Sequence, residues 1–430
     1  MTNVGDVVQA AELQQTVEQA VQRTPVVDVH THLYPASFGG LCLWGVDELV
    51  NYHYLVAELF RSSALTPQEF WARTKSEQAD LIWDALFVKN TPLSEAAAGV
   101  VAVLVKLGLD PTQPDLTQAR EHFASLKVDQ YIEQVLSLAN VSELVMTNDP
   151  FNPVERAAWE RNEPCPERFL RALRMDPVLN DWEKAQAVMA GAGFKVSSDV
   201  TPQTASEARR FLDRWIARLR PVYLAVSMPF TFVFPDDSPR TRLIREVVLP
   251  TCREHNIPFA LMIGVSRQVN PDLRDAGDSV GFADTGSVER ICAENPGVRF
   301  LVTMLSRENQ HELCVAARKF GNLMPFGCWW FLNNPSIVNE ITSERLELLG
   351  STIIPQHSDA RILDQLIYKW AHSRRTISHA LCDSYSRLLA DGYPLTRKQI
   401  DRDVERMFSG NFRRWVGLPE TAPRTKTGRA

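Results

Sequence analysis

Eight short apolar runs, separated by segments of helical periodicity, constrain the fold of this chain more strongly than any other feature of its sequence. The runs span residues 26–30, 143–147, 169–175, 222–227, 259–265, 300–305, 324–330 and 352–357. Each is rich in Val, Ile, Leu, Phe or Met and is followed by a polar turn or by a turn with Gly or Pro, as buried strands are. Segments such as 207–219, 240–255 and 310–320 have the periodicity of amphipathic helices. Strand and helix in alternation, eight times, predict an α/β fold, a (β/α)8 barrel of the TIM type.

The interval from residue 40 to residue 135 interrupts this alternation. It contains no convincing strand, and its amphipathic segments are 46–61, 67–87, 93–107 and 117–126. We interpret residues 40–135 as a helical insertion after the first strand, above the barrel mouth, although an independent helical domain would give the same pattern. The barrel is then predicted to comprise residues 25–39 and 136–418, preceded by a lead-in helix within 1–24 and followed by a flexible tail, 419–430.

Length and charge fit a barrel enzyme that acts on a small molecule. The chain has 430 residues, enough for one large barrel with an insertion, although two ordinary domains are also possible. Its net charge of −6 gives no reason to expect nucleic acid or an anionic membrane as a partner. The N-terminus has no signal sequence and no run is long enough to span a bilayer, so we expect a cytoplasmic protein. Seven scattered cysteines without a Cys-x-x-Cys pair indicate neither a disulfide framework nor a zinc ribbon.

The first apolar run ends in Asp28-Val29-His30-Thr31-His32. Side chains alternate along a strand, so His30 and His32 point the same way and can bind one metal ion at the barrel mouth. The alternative is that the two histidines cap the strand and form hydrogen bonds with neighbouring loops. Asp359, which follows the last run, is a candidate third ligand. Three ligands of this kind leave coordination positions open for water or substrate.

Several arginines and tryptophans also fall at strand ends, where such barrels collect their catalytic groups. They are Arg174 after the third run, Arg267 after the fifth, Arg307 after the sixth, Trp329 and Trp330 in the seventh, and Arg361 after Asp359. A guanidinium binds a carboxylate through two parallel hydrogen bonds, so this set predicts an anionic substrate. Any one of these arginines could instead close a loop through a salt bridge.

A two-metal hydrolase on this barrel would need a Lys on the fourth strand and His ligands on the fifth and sixth. The fourth run, 222–227, has no Lys, and the fifth and sixth carry Met262 and Thr303 near their ends. The site is therefore predicted to hold one metal ion per chain, suited to polarising a carbonyl or a hydroxyl.

Five segments together resemble the uronate isomerases, an outlying family of the amidohydrolase superfamily, over nearly the whole chain. They are Asp28-Val29-His30-Thr31-His32, Asn51-Tyr52-His53-Tyr54, Met146-Thr147-Asn148-Asp149-Pro150, Phe326-Gly327-Cys328-Trp329-Trp330-Phe331 and Ser358-Asp359-Ala360-Arg361. The resemblance is strongest to the shorter, divergent bacterial branch. It implies that the chain takes part in carbohydrate metabolism, converting D-glucuronate to D-fructuronate or D-galacturonate to D-tagaturonate. The proton then moves between C2 and C1 through a cis-enediol.

The resemblance also implies roles for individual residues. His30, His32 and Asp359 would bind one divalent metal ion, commonly zinc, and the substrate would be lined by His53, Tyr54, Arg174, Arg267 and Arg361. Asp359 can act as an acid or base in ring opening. Tyr54 can take the C2 proton if Arg361 lies against its phenol and lowers its pKa. The family tends to form homo-oligomers.

Two departures and two alternatives stay open. The longer branch of the family has a His where this chain has Met262, and a Ser-Asp-His segment where this chain has Val196-Ser197-Ser198-Asp199. A mononuclear metal-dependent hydrolase or decarboxylase of a small acid could use the same barrel. A catalytically silent protein that binds sugar acids is disfavoured, because His30, His32, Asp359 and Arg361 occur together.

Overall fold

Seven of the predicted apolar runs form strands of one curled parallel sheet. In the computed structural model, which describes residues 7–419, the strands are β1 Val26–Thr31, β2 Val141–Asn148, β3 Phe169–Arg174, β4 Tyr223–Pro229, β5 Phe259–Ser266, β6 Ser279–Val280, β7 Phe300–Met304 and β8 Leu323–Pro325. The parallel order is β1-β2-β3-β4-β5-β7-β8, and the two-residue β6 pairs antiparallel with the end of β5. The predicted α/β barrel fold is confirmed.

The eighth position in the barrel wall is occupied by an irregular segment, residues 352–359, rather than by the predicted strand 352–357. Its one β-bridge joins Ile354 to Phe326, yet it forms backbone hydrogen bonds on both sides. Gly327 N donates to Ile354 O at 2.9 Å, and Asp359 N donates to His30 O at 3.1 Å. The segment therefore lies between β8 and β1 and closes the ring. It is irregular because Pro355 has no N–H to donate and Asp359 adopts a left-handed backbone with φ of 49°.

Strand β8 is also shorter than the predicted run 324–330. It ends at Pro325, Gly327 has φ of 65°, and Trp330 begins a short 3-10 turn, Trp330–Leu332. The chain leaves the sheet here because Pro325 lacks a backbone donor and Gly327 lies outside the extended region.

Twenty α-helices surround the sheet within the described residues. In chain order, α1 to α20 are Leu13–Arg23, Val46–Val50, His53–Ser62, Pro67–Trp71, Lys75–Trp83, Glu95–Lys106, Thr117–Ala124, Val128–Ala139, Pro153–Glu160, Asp176–Asn180, Trp182–Gly191, Pro202–Leu219, Pro239–Leu243, Leu249–His255, Thr285–Glu294, Gln310–Ala317, Pro335–Leu349, Gln365–Ala390, Arg397–Glu405 and Asn411–Val416. No helix of the described part is long and apolar enough to cross a membrane.

Two predicted helices of the 40–135 interval are each broken in the structure. The predicted helix 46–61 is α2 and α3, because Asn51 Nδ2 donates to Asp47 O at 2.8 Å and to Lys75 O at 2.8 Å, and Tyr52 is extended. The predicted helix 67–87 is α4 and α5, because Thr74 begins a new helix with a capping box. The first break was missed because Leu49, Tyr52 and Val56 keep helical spacing across it, whereas residues 73–78 at the second break are all polar.

The helices between β1 and β2 are tied to the barrel side of the molecule. Gly45 N donates to Asp364 Oδ2 at 2.8 Å, and Trp71 Nε1 donates to Asp272 O, in the loop after β5, at 2.9 Å. The division of the chain into barrel and insertion stays a prediction. Of the predicted lead-in helix, α1 is present and residues 1–6 lie outside the described residues, as does the predicted tail beyond residue 419.

The core has the two layers that a barrel requires. Residues at alternate strand positions form one buried cluster that fills the ring: Val145, Ala172, Tyr223, Ala225, Ala260, Met262 and Leu301. Their neighbours along the strands belong to the larger cluster with the helices: Leu144, Leu173, Leu224, Leu261 and Val302. Because the interior is filled by side chains, the accessible chemistry is confined to the strand ends.

Candidate metal and substrate site

Ring closure brings the three predicted metal ligands together. Nitrogens of His30 and His32 and an oxygen of Asp359 lie within 4.8 Å of one another. Asp359 Oδ1 is 3.5 Å from His30 Nε2 and 3.3 Å from His32 Nε2. His30 and Asp359 are buried and His32 is partly buried. The pattern in the sequence therefore predicted this cluster correctly.

Two hydroxyl groups fix the orientation and the tautomer of each imidazole. Tyr223 Oη donates to Val29 O at 2.8 Å, so it accepts from His30 Nδ1, 3.3 Å away. Thr147 Oγ1 donates to Thr31 O at 3.2 Å, so it accepts from His32 Nδ1 at 2.9 Å. Both Nδ1 atoms then carry the proton, and both Nε2 lone pairs face Asp359. A hydrogen bond from the second ring nitrogen commonly orients a metal-binding histidine.

The cluster fits a divalent cation, because three acceptors converge with no donor between them. Asp359 Oδ1 is buried and finds no hydrogen-bond donor in the described part of the chain. Burial lowers the pKa of His30 far below its ordinary value and lowers that of His32, so both are neutral. Burial opposes ionisation of Asp359, but the basic groups around it, His32 and His30 when they carry a second proton and Lys369, hold its pKa below the usual range. Two neutral imidazoles and a carboxylate suit Zn²⁺ and similar ions, and the donor set does not choose among them.

Helix α3 places His53 and Tyr54 beside this cluster. Trp330 Nε1 donates to His53 Nε2 at 3.2 Å, and the His53 and Tyr54 rings meet edge to face with centroids 4.6 Å apart. Tyr54 Oη is buried and has no hydrogen-bond partner among the described residues. Tyr52, which precedes α3, packs its ring against Tyr54 with centroids 5.0 Å apart.

Burial lowers the pKa of His53 well below its usual value, and the positive charge of Arg361 lowers it further. The lowering of the Tyr54 pKa that we expected from Arg361 is not found. Burial raises the pKa of the phenol well above 10, Tyr52 and Asp359 add to the increase, and Arg361 opposes it only in part. Tyr54 is therefore a neutral phenol at pH 7 in the absence of substrate.

Arg361 and Arg174 differ in how fully their charges are paired. Arg361 has a weak ion pair, 3.9 Å from Nη1 to Oδ2 of the exposed Asp275. Arg174 forms a two-bond pair with Asp176, with Nε to Oδ2 at 3.1 Å and Nη2 to Oδ1 at 2.9 Å. The charge of Arg174 still lowers the pKa of His30 and of His32, so it lies near the cluster. The guanidinium that has more freedom to bind an anion is that of Arg361.

Arg267 and Arg307 occupy different surroundings. Arg267 donates to Asp278 Oδ2 at 2.5 Å, and its guanidinium lies 5.7 Å from the centre of the Trp330 ring. Arg307 is half exposed and pairs with Glu340, with Nε to Oε2 at 3.1 Å. No hydrogen bond or ion pair within residues 7–419 joins Arg307 to the histidine cluster. Trp330 connects Arg267 to His53, so the structure brings Arg267 closer to the site than Arg307.

Trp329 is buried beside Trp330, with ring centroids 6.0 Å apart. It belongs to the buried cluster that fills the ring. The substrate-binding roles of Trp329, Trp330, Arg267 and Arg307 stay predictions.

His357 packs against His30 and was not identified from the sequence. Its ring centroid is 5.1 Å from that of His30, and neither ring nitrogen has a hydrogen-bond partner in the described chain. Burial lowers its pKa to about 4. Gly327 makes room for the ring, since a Cβ there would lie 1.9 Å from His357 Cδ2. Its spacing from Asp359, two residues as between His30 and His32, is the signal that could have identified it.

Three solved structures resemble this chain over most of its length. A uronate isomerase from Bacillus halodurans is 51% identical, with a TM-score of 0.94, and the alignment covers 96% of this chain and 98% of that one. A glucuronate isomerase from Caulobacter crescentus and a uronate isomerase from Thermotoga maritima share the fold at 15% and 14% identity. Their TM-scores are 0.76 and 0.75, with coverage of 96% and 95% of this chain and 95% and 98% of theirs. No family model and no curated protein sequence matches the chain.

Proposed function

The chain belongs to the uronate isomerase family, and we propose that it interconverts the aldose and ketose forms of a hexuronate at the His30, His32 and Asp359 cluster. D-Glucuronate with D-fructuronate and D-galacturonate with D-tagaturonate are the two pairs that we expect. The observation that carries the proposal is the set of three converging acceptors beside the weakly paired Arg361. It occurs in a chain that is 51% identical to a uronate isomerase over 96% of its length.

The reaction needs no external oxidant or reductant. After the sugar ring opens, the proton on C2 leaves and a proton is added to C1, while the hydroxyl proton on O2 is lost and O1 gains one. The C1 aldehyde becomes an alcohol and the C2 alcohol becomes a ketone, through a cis-enediol. The protein must therefore bind an anion, handle one carbon-bound proton and handle one hydroxyl proton.

His30, His32 and Asp359 would hold one divalent metal ion per chain, and we expect zinc. A metal ion bound there would supply Lewis-acid stabilisation of the negative charge that develops on the sugar oxygens. Tyr223 and Thr147 hold the two imidazoles in the tautomer that leaves Nε2 free.

The other groups divide the remaining tasks by their position and charge. Arg174 binds the substrate carboxylate through the guanidinium edge that Asp176 leaves free, and Arg361 adds a second positive charge beside Tyr54. Tyr54 moves the proton between C2 and C1, and Asp359 moves the hydroxyl proton during ring opening. His53, held by Trp330, covers the site from above together with Tyr54. Arg267, Arg307, Trp329 and Trp330 are the further residues that we expect to line the substrate.

Isomerisation of glucuronate and galacturonate by the purified protein in D2O tests this function. We expect ketose formation, with deuterium on the carbon that receives the proton. His32→Gln should abolish both, whereas His311→Gln should abolish neither, because His311 is an exposed residue paired with Glu344 on the outside of the barrel. A protein that isomerises neither uronate and incorporates no deuterium, but hydrolyses a lactone or amide, would instead be a mononuclear hydrolase. The homo-oligomer implied by the resemblance and the cytoplasmic location expected from the sequence stay predictions.

A further inference from the structure

We propose that Lys369 is a positioning residue that holds the Asp359 turn in the conformation that directs the carboxylate toward His30 and His32. Lys369 lies on α18 and is 5% exposed. Its Nζ donates a hydrogen bond of 2.6 Å to the carbonyl oxygen of Ser358, the residue before Asp359. An ammonium that donates to a buried carbonyl forms a stronger hydrogen bond than a neutral donor does.

The turn has to be held because its backbone conformation is unfavourable. Asp359 has φ of 49°, a left-handed region that L residues seldom occupy and that persists only where neighbours enforce it. On the Ser358 side, Ser358 N donates to Asp28 Oδ1 at 3.0 Å, and its carbonyl accepts from Asn333 Nδ2 at 3.2 Å as well as from Lys369. The backbone of Ser358 is therefore fixed at both its N–H and its carbonyl.

Helix α18 anchors the Ser358 backbone through two consecutive residues. Lys369 binds the Ser358 carbonyl directly, and Trp370 Nε1 donates to Asp28 Oδ2 at 2.8 Å, which orients the carboxylate that receives Ser358 N. A rigid helix thus sets the position of the turn that carries Asp359. On the other side, Asp359 N donates to His30 O at 3.1 Å, so the turn is fixed between α18 and β1.

The position of Lys369 calls for a cation. Two buried carboxylates, Asp359 and Asp28, favour its charge, and the centre of the Tyr52 ring lies 5.7 Å from Nζ. Burial lowers the pKa of Lys369 to about 8, so the group is still mostly protonated at pH 7. A methionine would fill the same space but would leave the Ser358 carbonyl with one donor fewer.

Metal affinity and ligand geometry distinguish a role of Lys369 in positioning Asp359 from a role in stabilising the fold alone. Protein freed of metal with a chelator is titrated with Co²⁺ and with Zn²⁺, and the visible absorption of bound Co²⁺ reports the ligand geometry. We compare Lys369→Met with Arg374→Met. Arg374 is a buried cation on the same helix that donates to Thr24 O and Asn140 O, away from the site, so its loss should lower the melting temperature alone.

We expect Lys369→Met to weaken metal binding by about 10- to 100-fold, as the loss of supporting contacts around metal ligands does, and to change the Co²⁺ spectrum. Arg374→Met should match the wild type in both. If Lys369→Met does not fold, Lys369→Gln, which keeps an N–H donor on a shorter arm, should show the same changes to a smaller extent.

The inference rests on the proposed metal site, and the experiment distinguishes the two. A wild-type protein that binds neither ion refutes the site itself. A wild type that binds Co²⁺, with a Lys369 variant that binds it as tightly or more tightly and with the same spectrum, refutes the positioning role alone. Weaker binding in both the Lys369 and the Arg374 variants would also refute it, because any loss of stability would then suffice.

Discussion

Substitution of Gly327 by alanine tests the packing beneath the site. Gly327 has φ of 65°, and a Cβ at this position would lie 1.9 Å from Cδ2 of the buried His357 ring. The backbone conformation alone costs about 1–2 kcal/mol for a residue with a side chain. The overlap adds ~1–3 kcal/mol, because the ring is enclosed and cannot rotate away without moving its neighbours. We therefore expect Gly327→Ala to destabilise the protein by roughly 2–5 kcal/mol.

Gly417→Ala is the matched control. Gly417 has φ of 77° and ψ of 22°, in the left-handed helical region, and a Cβ there would meet no atom within 4 Å. It should show only the backbone cost of about 1–2 kcal/mol. Urea unfolding followed by circular dichroism, with chelator present so that bound metal does not contribute, measures the difference between the two variants.

A double-mutant cycle with His357→Ala isolates the overlap. In the His357→Ala background, Gly327→Ala should cost no more than Gly417→Ala. If Gly327→Ala costs the same with and without the His357 ring, the contact does not constrain the glycine and the reasoning fails. Because the His357 ring packs 5.1 Å from that of His30, the single variant should also bind metal less tightly.

Three further outcomes follow from the site. Tyr54→Phe should lose about 10²–10⁴-fold in kcat, while Tyr52→Phe should lose much less. Because burial raises the pKa of Tyr54, wild-type kcat should rise with pH above neutrality. If Tyr54→Phe exchanges the C2 proton with solvent at the wild-type rate, Tyr54 is not the base. Arg174→Lys should lower kcat/KM for glucuronate, and the loss of transition-state stabilisation should be on the order of 2–4 kcal/mol. Unchanged kinetics would place the carboxylate on Arg361. Burial raises the pKa of Glu155 from 4.5 to about 7, so its contribution favours the folded state at low pH and is lost as pH rises from 4.5 through 7. The fall in melting temperature between pH 5.5 and pH 8 should therefore be smaller in Glu155→Gln, and an equal fall would contradict the assigned burial.

The strands and the metal ligands could be predicted because both depend on local pattern and on one general property of barrels. Apolar runs bounded by turn residues mark the strands, and His30 and His32 share a side because alternation has a period of two. Asp359 could be added because strand ends of a parallel barrel meet at one mouth. These predictions did not require knowledge of the register between neighbouring strands.

What the sequence did not reveal depends on which residues meet across the barrel. The hydroxyls of Tyr223 and Thr147 reach the imidazoles only because of the stagger of β4 and β2 relative to β1. The pairing of Arg174 with Asp176 competes with the substrate role assigned to it, and sequence order alone does not say which partner the guanidinium takes. The sign of the Tyr54 pKa shift depends on burial, which the position of Arg361 in the sequence could not reveal.

The segment that closes the ring also delivers Asp359, and this couples the site to the completion of folding. His30 and Asp359 are about 330 positions apart along the chain, so the loop that joins them is nearly the whole protein. Closing so long a loop costs more entropy than closing a short one, so we expect this contact to form late in folding. During synthesis, the binding site for the ion cannot exist until the closing segment, residues 352–359, has left the ribosome. An intermediate in which this segment is not yet in place would expose the edges of β1 and β8, which makes it prone to aggregate. Metal added during refolding should therefore act on the last step, by trapping closed rings, and should leave the rate of early collapse unchanged.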